Sequence, residues 1–332
     1  MDNLYTPQEI ADLLKIKKNT VYELIKRGEI KATKIGKQFR ISQENLNDYL
    51  KQPADITPAP QNVSQTYSKV YHSAQSSSFT NISGDTRHST SGLSDLGLIL
   101  CGQDQILDSL SSHIEASPLG GLTFRSYMGS YNALNALYLR KVHVSTAHLW
   151  DEATNSYNLP FISHLVPGTR CIVIHLVKRV EGFYILKGNP KLFSGFDDLT
   201  RDDITFVSRE RGSGARILAD AHLYKRNINP LNIKGYGHEV MSHINSAAAV
   251  SSGIADVAIG IENVLPQFPN LDFIPIQEES LDLVFLEESL SLPSIMTMIS
   301  IIRSDNFKKE LSVMNGYNVE GLGEVLMGEI PF

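Results

Sequence analysis

The sequence predicts a mixed α/β protein in two folded parts, and three observations predict it. From residue 96 to the C-terminus, short apolar runs alternate with amphipathic stretches. Residues 1–52 are instead dense in helix start and stop signals. Between them, residues 53–95 shift to Ser, Thr, Gln, Asn and Pro. A chain of 332 residues, 42% hydrophobic and 20% charged, has the composition of globular domains and the length for two to three of them. Its net charge of -6 is unevenly spread. Residues 1–52 carry ten Lys and Arg against seven Asp and Glu, a balance of +3, which leaves -9 on the rest. A basic head on an acidic body lets phosphate backbones attract the head alone.

In the head, Thr6 can cap a helix, Pro7 fits its first position, and Glu9 completes a capping box. Ile10, Leu13 and Leu14 follow at helical spacing. Asn19 can cap a second helix that buries Val21, Leu24 and Ile25 and stops at Gly28. Ile30 to Ile41 reads as a hairpin turning at Gly36-Lys37, and Ser42 opens a last helix with Leu46, Tyr49 and Leu50. Residues 53–95 hold no sustained apolar period. Such a stretch cannot bury enough surface to offset its ordering entropy, so a flexible linker is expected there.

In the body, strands are expected at 96–100, 122–127, 142–149, 171–177, 182–187, 205–209, 255–261 and 271–276. Helices are expected at 103–114 and 131–139, from about Ser213, and at 294–302 and 306–313. This alternation predicts mostly parallel sheet covered on both faces. Cys101 and Cys171 sit among apolar residues and read as buried reduced thiols. The N-terminus lacks the pattern of a signal peptide, and no apolar run approaches the roughly 20 residues of a membrane helix. A cytoplasmic protein without membrane contact is expected.

Helix, tight turn, helix, hairpin and helix in about 50 residues is a winged helix-turn-helix layout. The head resembles the MerR/excisionase-type DNA-binding domain through Tyr5 to Leu14, Thr20-Val21-Tyr22, Ile25 to Ile30, and Ile35-Gly36-Lys37-Gln38-Phe39-Arg40-Ile41. The expected DNA-binding residues are Lys17, Lys18, Asn19, Thr20 and Tyr22 at the turn and start of the second helix, Lys26 and Arg27 at its end, and Lys34, Lys37 and Arg40 on the wing. The cationic ones should meet phosphate, giving affinity and salt dependence rather than sequence choice. A single small module binds weakly, so a homo-oligomer on paired half-sites is expected.

Two glycine-bearing turns in the body end a strand and start a helix. One is Tyr127-Met128-Gly129-Ser130-Tyr131; the other runs Arg209-Glu210-Arg211-Gly212-Ser213-Gly214-Ala215-Arg216. Small residues let backbone N–H groups approach a ligand, and a helix N-terminus favours negative charge. Neither turn is a P-loop or a GxGxxG fingerprint. With these turns the body resembles the periplasmic-binding-protein-like domain of molybdate-binding type. Further marks are His148-Leu149-Trp150-Asp151, Tyr157 to Phe161, Gly188 to Lys191, Gly235-Tyr236, Ala247 to Val250 and Gly253 to Asp256. Two departures stand out. Arg140-Lys141-Val142-His143 replaces a Gly-x-x-Asp run, and Ala215 removes the hydroxyl of a frequent threonine.

The resemblance implies a two-lobed clam-shell behind the winged helix-turn-helix. Lobe one would comprise about 96–175 and 275–332, lobe two about 180–270, with hinges near Ile172–Val177 and Phe273–Ile276. The expected ligand-binding residues are Gly129, Ser130, Tyr131, His148, Asp151, Arg209, Gly212, Ser213, Gly214, Ala215 and Arg216. The expected function is a ligand-responsive transcription regulator whose partners are operator DNA and a small anion, molybdate or tungstate first; the alternatives are an organic metabolite or cofactor fragment as ligand, and last an enzyme with a regulatory DNA-binding head. The histidines (His143, His148, His164, His175, His222, His238 and His243) show no metal-binding spacing, so neither a metal nor a cofactor is expected. Ser130 and Ser213 have no His-Asp partner at a known motif spacing, and no catalytic residue or enzyme activity is expected.

Overall fold

The computed structural model describes residues 4–14, 18–26, 30–35, 38–43, 45–46 and 97–331. They fall in two compact units, one within 1–84 and the other within 85–332. The linker expected at 53–95 and the hairpin turn at Gly36-Lys37 lie outside the described residues.

The smaller unit contains strand β1 (Leu4–Tyr5), helix α1 (Pro7–Leu14), helix α2 (Lys18–Lys26) and strands β2 (Thr33–Ile35) and β3 (Gln38–Ser42). The capping box forms as the sequence predicts: Thr6 N donates to Glu9 Oε2 at 2.7 Å, and Glu9 N donates to Thr6 Oγ1 at 3.3 Å. β3 pairs antiparallel with both β1 and β2, which makes a three-stranded wing. Ile10, Ala11, Val21, Leu24, Ile30, Ile41 and Leu46 close a small core between helices and wing.

The larger unit begins with β4 (Leu98–Cys101), α3 (Ile106–Ala116), β5 (Thr123–Ser126), α4 (Ser130–Tyr138) and β6 (Val144–Ala147). A hairpin, β7 (Trp150–Asp151) and β8 (Ser156–Tyr157), leads to α5 (Leu159–Leu165) and the long strand β9 (Cys171–Leu186). β10 (Phe206–Arg209), α6 (Gly214–Lys225), β11 (Glu239–Val240), α7 (His243–Ser251) and β12 (Val257–Ile261) build the second lobe. The equally long β13 (Leu271–Leu286) returns to the first lobe, followed by α8 (Pro293–Ile302), α9 (Asp305–Ser312) and β14 (Val325–Met327).

One sheet carries both lobes, in the order β11-β10-β12-β9-β13-β6-β4-β5, with β14 also paired to β9. β4, β5 and β6 are parallel, as are β10, β11 and β12. The expectation of a mostly parallel sheet is corrected at its centre, where β9 and β13 pair antiparallel with each other, with β12 and with β6. The separate strands expected at 171–177 and 182–187 are one strand of 16 residues, and the strand expected to stop at Ile276 continues to Leu286. Charged residues inside both segments broke the apolar run and hid the continuity. The helix at His243–Ser251 was likewise not anticipated, because Ala247 to Val250 offers no polar face to mark a period.

Apolar clusters lie on both faces of each half of the sheet. Leu98, Leu100, Ile174, Phe285, Met298 and Phe307 belong to one in the first lobe, and Phe183, Phe206, Leu218 and Ile259 to one in the second. Cys101 and Cys171 are free and buried, and burial pushes both thiols up to about 11. No described helix is long and apolar enough to cross a membrane.

Candidate functional site

The parallel strands aim their carboxyl ends at the junction of the lobes, the place where ligands bind in open α/β sheets. β4 leads into Gln103 and Asp104, β6 into His148, β10 into the turn through Ser213, and β11 into the loop before His243. Beneath them run β9 and β13, and at mid-length their apolar pattern is interrupted. Glu279 lies opposite Arg179 and Gln277 opposite Glu181. Side chains two residues apart share a face, so the register places Arg179, Glu181 and Glu279 together. All three are buried, Glu181 and Glu279 at 0% exposure.

Arg179 organises this centre. Its Nε donates to Glu279 Oε1 at 2.5 Å and its Nη1 donates to Asp104 Oδ2. Asp104 also accepts from Tyr317 Oη at 2.7 Å and Ile106 N at 2.8 Å. The other oxygen of Glu279 lies 2.8 Å from His148 Nδ1. Although burial pushes the Glu279 carboxyl up, the neighbouring Arg179 and His148 outweigh it and hold Glu279 below the usual carboxylate range. Glu181 goes the other way: burial, and then the charge of Glu279, raise it well above that range. Neither Glu181 oxygen receives a hydrogen bond. On the second lobe, burial and the charge of Arg209 keep His243 well below the usual imidazole range. Arg209 Nη1, His243 Nδ1 and Ser246 Oγ are also buried without partners.

The lobes are drawn together around this centre. Gln103 of the first lobe donates to Glu210 Oε1 at 2.9 Å and to the Met241 carbonyl at 3.0 Å, and it accepts from Arg209. The two glycine-bearing turns touch directly. Tyr131 N donates to the Gly212 carbonyl at 2.9 Å, and Asn132 Nδ2 donates to the Arg211 carbonyl at 3.1 Å. A Cβ on Gly129 would lie 2.6 Å from Ser213 Cα, and one on Gly214 would lie 2.4 Å from the His148 ring. Only glycine permits this approach.

The structure therefore brings together Gly129, Ser130, Tyr131, His148, Arg209, Gly212, Ser213 and Gly214 among the residues singled out in the sequence. The two serine hydroxyls are committed inside the protein. Ser130 Oγ accepts from His148 N at 3.2 Å, whereas Ser213 Oγ donates to the Glu210 carbonyl at 2.9 Å and caps α6 by accepting from Arg216 N. Three expected residues serve elsewhere. Asp151 accepts from Thr154 N at 3.0 Å and holds the β7–β8 turn. Ala215 packs in the apolar core of the second lobe. Arg216 bonds Ser208 Oγ at 2.8 Å and Asp220 Oδ1 at 3.0 Å, lies 4.2 Å from the Tyr236 ring centroid, and lines a groove of about 1210 Å³ with Tyr131 and Glu239.

Sequence reading missed Asp104, Arg179, Glu181, Glu279, Gln103 and the placement of His243. The available signal was charge inside two otherwise apolar runs, Lys178-Arg179-Val180-Glu181 and Gln277-Glu278-Glu279. The expectation that no metal site exists rested on histidine spacing, which cannot register His148, Glu181 and Glu279. Their donor atoms come within 4.8 Å of one another from three separate segments.

In the smaller unit, Lys18 is exposed, and Tyr22 is exposed at 39% while its ring packs edge-on to Phe39 of the wing at 6.2 Å. Arg40 Nη1 donates to the Phe39 carbonyl at 3.1 Å. Lys17, Arg27 and Lys37 lie outside the described residues, as do the side chains of Asn19, Thr20, Lys26 and Lys34.

Comparison with known proteins matches residues 4–53 to a helix-turn-helix domain and residues 111–303 to the PBP superfamily domain. The uncharacterized protein YvgK of Bacillus subtilis (strain 168) is 35% identical over 328 residues, covering 97% of each chain. An uncharacterized protein from the 5' region of a Clostridium pasteurianum ferredoxin 2Fe-2S gene is 40% identical over 110 residues, 33% of this chain and 97% of its own. Among solved structures, the sulfate-binding protein SubI from Mycobacterium tuberculosis H37Rv aligns over 67% of this chain and 85% of its own, at 15% identity and a TM-score of 0.48. The chain belongs to the PBP superfamily, with a helix-turn-helix domain ahead of the two-lobed domain.

Proposed function

We propose that this chain is a ligand-responsive DNA-binding transcription regulator, not an enzyme, and that its effector binds where the two lobes meet on β9 and β13. The observation that carries this reading is the junction itself. Polar side chains from both lobes converge on buried Glu181, Arg209, His243 and Ser246, which retain unused hydrogen-bonding atoms. A buried polar atom without a partner costs about 1–3 kcal/mol, so an effector that satisfies several of them favours the closed arrangement. The head supplies the DNA contact in the manner of a MerR/excisionase-type winged helix, through Lys18, Tyr22 and the basic residues around them. Two copies on paired half-sites would raise affinity and make closure readable as head spacing.

A second reading keeps the oxyanion, molybdate or tungstate, as effector. Arg209 Nη1 and Ser246 Oγ are the donors that favour it. Against it stand the carboxylates of the junction: Asp104, Glu181, Glu210 and Glu279 outnumber the guanidinium groups that engage them, Arg179 and Arg209. The excess favours an effector that brings hydrogen-bond donors or positive charge. The test is titration of the full chain on a duplex selected by the protein from a random pool, with and without sodium molybdate, sodium tungstate, divalent cations and organic metabolites. At least one class should shift the affinity or footprint; identical binding throughout would overturn the reading.

A further inference from the structure

Resting on the reading of the junction as the effector site, we propose that it binds one divalent metal ion through His148 Nδ1, Glu181 and the Glu279 oxygen that faces His148. An imidazole and two carboxylates lie with their donor atoms within 4.8 Å of one another. In a tetrahedral site with bonds of about 2.0–2.2 Å, ligand atoms stand roughly 3.3–3.6 Å apart, so closing the triad takes side-chain movements of about 1 Å. A space this narrow suits an ion rather than an organic molecule.

The donors are prepared for that role. Glu181 is fully buried, points into the cluster, and has no hydrogen bond on either oxygen. Glu279 is held from behind by Arg179, which is anchored in turn by Asp104, itself bonded by the Tyr317 hydroxyl. Such an outer shell orients a ligating carboxylate and leaves its second oxygen directed at the ion. The two arginines do not fill the place of a cation. Arg179 is engaged by Asp104 and Glu279, and Arg209 by Glu210 and Gln103. Glu181 is the one carboxylate of this centre that neither arginine bonds, and a divalent ion seated beside it would give its buried oxygens a partner. One nitrogen and two oxygen donors suit zinc, manganese or cobalt, and the remaining coordination positions fall to water or a small co-ligand.

The test uses the full chain, treated with chelator and then titrated with zinc chloride or manganese chloride under native mass spectrometry and calorimetry. One ion per chain is expected. Glu181→Gln should weaken binding by tenfold or more while its metal-free form melts no lower than metal-free wild type, because the amide keeps the carboxyl's shape and carries no charge. His148→Gln gives a second, independent loss. No ion bound, or unchanged binding in Glu181→Gln, would overturn the proposal. If the ion binds at these residues but leaves affinity for the selected duplex unchanged, the metal site stands and the regulatory reading fails. If no ion binds but another compound shifts DNA affinity, the regulatory reading stands and the metal site fails.

Discussion

The two glycine-bearing turns and the two long strands meet at the same place, yet they contribute opposite things. The turns bring the lobes close: at Gly129 and Gly214 backbone meets the opposite lobe with no Cβ between, and backbone hydrogen bonds tie the turns. Tyr131 N meets the Gly212 carbonyl, and the Ser213 hydroxyl meets the Glu210 carbonyl. The strands bring the chemistry. β9 and β13 carry Arg179, Glu181 and Glu279 into the interior, where charge is costly unless it is paired or bound. Closure is therefore set chiefly by the turns and recognition chiefly by the strands, with Arg209 serving both.

The largest effect is expected from the strands. Arg179→Met removes the one group that compensates both Asp104 and Glu279, stranding two buried carboxylates. Breaking a buried pair in this way costs about 3–5 kcal/mol. Chemical denaturation should show that loss at neutral pH, and a loss under 1 kcal/mol would mean that Arg179 does not organise the centre.

Disturbing the turns should separate closure from folding. Gly129 has φ of -67°, which alanine adopts freely, so Gly129→Ala strains nothing within its own lobe. Its Cβ collides with the Gly212 carbonyl oxygen and the Ser213 backbone across the junction. Overpacking of this kind costs about 1–3 kcal/mol. The variant should fold, show a larger radius of gyration in small-angle scattering, and lose about ten- to a hundredfold in effector affinity. A compact variant with unchanged affinity would show that the turns do not need to touch.

The smallest effect belongs to the head and gives a control outside the comparison. Thr6→Ala removes the α1 cap and should cost about 1 kcal/mol of head stability. Effector affinity of the body should not change. A drop there would couple the units more tightly than their separate cores imply.

How much of this was legible follows from the distance over which each signal acts. The Thr6–Glu9 box, the Ser213 cap and the turns at Gly129 and Gly212 are local, spanning a few residues, and each could be read where it stands. Asp151 is an expected ligand contact because it flanks a cleft strand with His148, and Ala215 and Arg216 because they adjoin the Gly212 turn. The fold fixes where these side chains go: Ala215 faces the core of its own lobe, and Arg216 faces Ser208 and Tyr236 and lines the groove beside Tyr131. Glu181 and Glu279 were invisible as a pair. They stand almost a hundred residues apart, and only the register of β9 against β13 puts them on one face.

The order of residues along the chain was sufficient to determine a helix-turn-helix unit followed by an α/β body, because capping, apolar period and turn chemistry are short-range properties of consecutive residues. Tertiary structure alone decided that His148, Glu181 and Glu279 share one buried point, and that charged breaks in two apolar runs belong to continuous strands. The reason is that pairing register and burial are set by contacts between distant segments, and no local pattern specifies which distant segment a charge will face.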